Sequence, residues 1–192
     1  MRAACTFATA LFVSYAAAAV RGQQPPEVNA RGPIDAPVTV VEFCSYDSEA
    51  CERMAVVLDT ATAGFGDRVR IVFRHVTSND SPDATVRYRA ALAAGYQGQF
   101  WLMHDTLFAN MNRKSREDVI GMARQLGLDV ERLNVDLEGE RALASAAVDR
   151  EEAAAHRVTA VPAVFVNGRA VNVREAEELR AAIAAEVKHS KD

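Results

Sequence analysis

Residues 38–51 read VTVVEFCSYDSEAC. The first seven, Val38 to Cys44, are β-branched and apolar apart from Thr39 and Glu42, the composition of a buried strand. Ser48, a preferred helix N-cap residue, then precedes a helical pattern. Met54, Ala55, Leu58 and either Ala61 or Thr62 fall on one face, and Gly64 and Gly66 end it. A strand therefore runs directly into a helix, and the junction holds two cysteines, Cys44 and Cys51. Inside the strand sits a carboxylate, Glu42, flanked by Val40, Val41 and Phe43. An acid in such a run is expensive without a partner, so we expect it to be buried with a purpose. The alternative is an edge position facing water.

Working outward, Val69 to Val76 forms a second strand, with Val69, Ile71 and Phe73 alternating against Arg68, Arg70, Val72 and Arg74. The three arginines are expected on a solvated face. A strand–helix–strand order needs a crossover, and so parallel pairing. From Pro82 to about Arg157 only helical patterns occur. They cover Asp83–Ala94, Gln99–Met111, a segment opened by Ser115 with Asp118 as a capping-box-like pair, Asp129–Leu137, and alanine-rich Glu140–His156. Val158 to Val166 returns to strand character, Asn167-Gly168 is a strong hairpin signal, and Arg169–Asn172 is the partner strand. Arg174–Val187 is a closing amphipathic helix.

The chain has 192 residues, 49% hydrophobic and 25% charged, with a net charge of −4. That is globular composition for one domain plus a tail. Without a basic excess there is no case for a nucleic-acid partner. Three cysteines are too few for a disulfide scaffold. Met1-Arg2 is followed by an uncharged run from Ala3 to Val20 with small residues at its end, which reads as a secretory signal peptide over 1–19. An uncleaved membrane anchor is the alternative. Residues 20–36, with Pro25, Pro26 and Pro33, read as a linker, and 37–189 as the folded domain with its helical insertion at about 82–157. Export would remove Cys5 and leave Cys44 and Cys51 where disulfides persist. The expected site is therefore periplasmic or otherwise extracytoplasmic, with no membrane contact beyond the signal segment.

Three segments in this order and spacing resemble DsbA-like thiol–disulfide oxidoreductases. These are GPIDAPVTVVEF at 32–43, QGQFWLMHDTLFAN at 97–110 and VTAVPAVFVNG at 158–168. The resemblance covers about Gly32 to Val187. It implies an α/β thioredoxin-like fold, a central mixed sheet flanked by helices, with an inserted helical subdomain. It also implies a cis peptide bond before Pro162, with the backbone of Val161 exposed to pair with an extended peptide. In the family an acid at the place of Glu42 accepts the proton of the second active-site cysteine.

One departure is decisive for chemistry. Where the family has Cys-x-x-Cys, this chain has Ser48-Glu49-Ala50-Cys51. Thiol–disulfide exchange needs thiolate attack and release by a second thiol, and a serine forms no disulfide. Ordinary exchange through positions 48 and 51 is excluded. Cys51, in the first turn of a helix, is a candidate nucleophile if solvent reaches it; if shielded, it packs as a small hydrophobe. Cys44 is extra. It either pairs with Cys51 as a substitute couple or remains an independent thiol, and the sequence leaves both open. The expected site is thus Cys51, Ser48, Glu42 and Pro162, with Cys44 as redox partner and Val161 binding substrate.

His75, His104 and His156 are far apart in sequence and lack metal-ligand spacing, so neither a metal nor a cofactor is expected. The function expected first is exported thiol–disulfide exchange on thiol- or disulfide-containing or extended polypeptides. A redox-inactive peptide-binding or chaperone-like module is the alternative. A single-cysteine thiol peroxidase, suggested by a hydroxyl three residues before Cys51, ranks last.

Overall fold

The computed structural model describes residues 27–76 and 82–190. The signal segment, Cys5 and the first part of the linker lie outside the described residues. The elements are β1 (Ala30–Arg31), β2 (Val38–Cys44), α1 (Glu49–Thr62), β3 (Val69–His75), α2 (Pro82–Gly95), α3 (Phe100–Phe108), α4 (Arg116–Gln125), α5 (Val130–Leu137), α6 (Glu140–Ala155), β4 (Ala163–Val166), β5 (Arg169–Val171) and α7 (Ala176–His189).

The strands form one mixed sheet in the order β1-β3-β2-β4-β5. β2 lies at its centre, parallel to β3 and antiparallel to β4. This is the thioredoxin-like arrangement, and α2 to α6 form the inserted helical block between β3 and β4. The short strand β1, antiparallel to β3, falls within the stretch read as linker. It hugs β3 so closely that a Cβ on Gly32, at φ +90°, would collide with the Val69 carbonyl, which only glycine avoids.

Side-chain alternation explains the layers. Val38 and Val40 of β2 pack with Met54, Leu58 and Ala61 of α1 and with Leu179, Ile183 and Val187 of α7. Phe43 points to the other face, against Phe165 and Ala153 of α6. At the carboxyl end of β2, Cys44 leaves the first layer and joins the core of the helical block, with Phe73, Phe100, Met103 and Leu107. The first core strand thus ends where the two halves of the molecule meet.

Local signals were met where they are strongest. Ser48 caps α1 with extended backbone, and its side chain accepts from the Cys51 N–H. Ser115 and Asp118 form the reciprocal capping box of α4. Asn167 and Gly168 have φ of 47° and 78°, the pair of positive values that a tight two-residue hairpin needs.

Two expectations need correction. The strand expected from Val158 begins only at Ala163, because Val158 to Pro162 forms a loop. Arg74 does not line a solvated face. It is 8% exposed and donates to Glu152 of α6 at 2.7 and 2.9 Å and to Glu27 at 2.7 Å. The cause is long-range: the sheet face that Arg74 shares with Phe43 is covered by α6, which brings Glu152, while Glu27 comes from the segment before β1.

Candidate functional site

The junction after β2 is built by local chemistry. Cys44 ends the strand, Ser45 to Asp47 turn the chain, and Ser48 caps the helix, which places Cys51 in its first turn. Cys44 and Cys51 form a disulfide with Cα atoms 5.7 Å apart, inside the span such a bond requires. The Ser45 N–H donates to the Cys51 sulfur at 3.3 Å. Both cysteines are 0% exposed. Ser48 is partly exposed, and its hydroxyl accepts from the Cys51 N–H at 3.3 Å.

Glu42 lies two residues before Cys44, on the same face of β2. It is 0% exposed, and neither carboxylate oxygen has a hydrogen-bond partner among the described residues. Burial pushes its pKa up to about 8, Arg31 opposes the shift and Asp59 adds to it. The carboxyl opens on a cavity of about 10 Å³, room for about one water. Arg31, Leu58, Asp59, Trp101 and His104 are among its other walls. Trp101 Nε1 is also buried without a partner among the described residues.

The turn between the cysteines is held by the helical block. Tyr46 is 0% exposed and packs its ring on Phe108, Phe73 and His104, with centroids 5.0, 5.2 and 5.6 Å away. Its hydroxyl shares a hydrogen bond of 3.0 Å with His104 Nδ1. Burial pushes the pKa of His104 down to about 3, so its ring is neutral at physiological pH. Arg87 of α2, itself 0% exposed, donates to the Tyr46 carbonyl at 2.6 Å. Next to Cys44 across the parallel ladder is His75. Its ring stacks on Tyr88 at 4.4 Å, and burial drives its pKa down to about 3.

The loop before β4 completes the neighbourhood. The Val161–Pro162 peptide bond is cis, and Val161 packs against the cluster that contains Cys44, Tyr46 and Cys51. The structure thus gathers Cys44, Ser48, Cys51, Glu42 and Val161 at one end of the sheet. Tyr46 and Arg87 are absent from the residues that the sequence singled out. An arginine in a helix reads the same whether it faces water or a carbonyl, so no local signal marks Arg87. Among the described residues no group of three or more His, Cys, Asp or Glu side chains could hold a metal ion, and no helix is long and apolar enough to cross a membrane. A single-thiol peroxidase centre at Cys51 is not what the geometry presents, because that sulfur is bonded to Cys44.

Comparison with known proteins agrees with this architecture. The sequence profile of the family described as thioredoxin matches residues 25–185. Over 145 residues the chain is 37% identical to the Na(+)/H(+) antiporter NhaA of Herminiimonas arsenicoxydans, covering 75% of this chain but 23% of that protein. Over 146 residues it is 37% identical to the Na(+)/H(+) antiporter NhaA 1 of Salinispora arenicola, covering 22% of that protein. The chain thus spans under a quarter of the length of these relatives. Among solved structures, a thioredoxin-like oxidoreductase from Silicibacter pomeroyi superposes with a TM-score of 0.70 at 28% identity, covering 84% of this chain and 91% of that one. The DsbA of Xylella fastidiosa gives 0.69 at 20% identity, covering 83% and 89%. The α-DsbA1 of Wolbachia pipientis gives 0.73 at 14%, covering 85% and 92%. With the sheet order, the inserted helical block and the profile match in agreement, the chain belongs to the thioredoxin family, and its fold is like that of the DsbA structures.

Proposed function

We propose that this protein is an exported thiol–disulfide oxidoreductase in which the Cys44–Cys51 disulfide replaces the usual Cys-x-x-Cys pair. The observation that carries this reading is the disulfide at the strand–helix junction, on the same strand face as a fully buried carboxyl without a partner among the described residues. An unpaired buried acid costs free energy and gives the fold nothing in return. Proton transfer at a neighbouring thiol accounts for it. A purely structural disulfide leaves it unexplained. The signal-like segment supports export.

The chemistry follows from leaving-group stability. A substrate thiolate attacks one sulfur and expels the other as a thiolate, and the better-stabilised thiolate leaves faster. Cys51 has the Ser45 N–H and the amino end of α1 behind it, both favouring negative charge. Attack therefore falls on Cys44 Sγ, forming a substrate–Cys44 mixed disulfide and releasing Cys51. A second substrate thiolate then attacks the substrate sulfur and expels Cys44. Substrate loses two electrons as its disulfide forms, and the protein gains them as two thiols. Glu42 keeps its proton at neutral pH, with a pKa of about 8, and can pass it to a departing thiolate. Ser48 holds the turn as a cap. The extended substrate pairs with the backbone of Val161, as in strand addition, which the packing of Val161 against the cysteine cluster supports.

A second reading rests on one observation: both sulfurs are 0% exposed, while the partly exposed position holds serine. A redox-inactive peptide-binding module fits that fact without further assumption. Under the redox reading the turn 45–47 must open before exchange.

Oxidative refolding separates the two. Oxidised protein is expected to restore activity to a reduced, unfolded disulfide enzyme in proportion to added Cys44–Cys51 disulfide. A Cys44→Ser/Cys51→Ser variant should give only the background rate while still binding extended peptides. Equal refolding yields with both proteins would overturn the redox reading.

A further inference from the structure

We propose that Arg87 is a positioning residue that latches the turn between the two cysteines shut, so that release of its grip on Tyr46 and Asp47 is the step that admits a thiol to the sulfurs. For its biological meaning this rests on the redox reading above. Its physical content, control of sulfur access, does not.

The contacts converge on that turn. Arg87 Nη1 donates to the Tyr46 carbonyl at 2.6 Å and lies 3.8 Å from Asp47 Oδ1. Its other terminal nitrogen donates to the Leu107 carbonyl at the end of α3. One guanidinium therefore joins α2, the end of α3 and the residues lying between Cys44 and Cys51. Lys114, in the loop after α3, adds a second cation 3.8 Å from Asp47. The Tyr46 hydroxyl ties the same turn to His104 of α3. Taking a guanidinium fully out of water costs several kcal/mol unless its donors are matched. This one gives a donor from each terminal nitrogen to a main-chain carbonyl, one in the turn and one in α3, where its planar fork fixes geometry as a lysine cannot.

The necessity of such a release follows from burial. Both sulfurs are 0% exposed, and a disulfide exchanges only when a thiol reaches a sulfur. α1 and β2 are fixed by the core, so the short connection between them is the part that can move. Arg87 grips that connection by its main chain at Tyr46, beside the side-chain contacts of His104 and Lys114.

The test measures the rate at which a water-soluble phosphine reduces the disulfide in the intact, folded chain, across low denaturant concentrations. Local opening makes that rate independent of low denaturant, whereas global unfolding makes it rise steeply. Arg87→Met is expected to reduce at least 10-fold faster than wild type in the denaturant-independent range. Arg87→Lys should fall between them, because one donor survives. Asp47→Asn, which weakens only one arm, should be about threefold faster. Leu179→Ala, which destabilises the α7 side of the sheet without touching the turn, should leave the denaturant-independent rate unchanged. The proposal is overturned if Arg87→Met and Leu179→Ala accelerate reduction equally at matched stability, or if wild type reduces only with the steep denaturant dependence of global unfolding. Should Arg87→Met not fold, Arg87→Lys and Asp47→Asn decide, and wild-type rates in both would overturn the latch. Failure of the redox reading would show instead in the refolding assay, with these access rates unaffected.

Discussion

At the scale of single residues, Glu42 makes the sharpest prediction. Its pKa is raised from 4.5 to about 8 by burial. Below pH 4.5 the carboxyl is protonated whether the chain is folded or not, so burial carries no ionisation penalty there. As pH rises, the unfolded chain ionises while the folded one holds its proton, and stability is lost until about pH 8. Glu42→Gln should therefore match wild type near pH 4 and exceed it at pH 8 by on the order of 4 kcal/mol, read by denaturant titration at both pH values. An unchanged difference across that range would show that the carboxyl ionises in the folded state like an exposed one.

Residue chemistry also explains what was legible. Ser48 as a cap, Glu42 as a costly insertion and the missing first cysteine can all be read from residue type and neighbours. The disulfide could be posed but not decided, because it depends on a distance. Tyr46 and Arg87 were invisible, since their partners are main-chain carbonyls and rings from segments far along the chain.

At the scale of elements, the order strand–helix–strand, helical block, hairpin, helix follows from periodicity and turn residues, and the structure keeps it. β1 escaped because two residues among prolines and a glycine carry no period. The reading of Arg74 failed because alternation assumes that one face of a strand meets water, and here α6 covers it. The same helix yields a test. Asp149 of α6, 1% exposed, accepts from the His75 N–H at 2.9 Å and from the Tyr88 hydroxyl, and lies 3.7 Å from Arg74. Asp149→Ala leaves two buried donors without an acceptor and weakens the clamp of α6 on β3. The expected cost is about 2–4 kcal/mol of unfolding free energy by chemical denaturation. A loss below about 0.5 kcal/mol would mean the network rearranges freely.

At the scale of the whole molecule, the disulfide closes a short loop, with a sequence separation of 7. Loop-closure entropy makes such a cross-link worth roughly 2–3 kcal/mol. Two hydrophobic layers and a helical block remain without it, so the reduced chain is expected to stay folded, as cycling between two redox states under the proposed function requires. At the junction of sheet and helical block a short turn is held by side chains of α2 and α3, and the cysteine pair sits there.

The most direct test of the central claim is equilibration of the protein across thiol redox buffers, followed by thiol trapping and mass spectrometry. The account predicts that Cys44 and Cys51 titrate together as a two-electron couple with a potential between about −120 and −270 mV, the span of working oxidoreductases. A pair that stays oxidised below about −300 mV, where structural disulfides lie, would contradict it and leave the peptide-binding module as the better description.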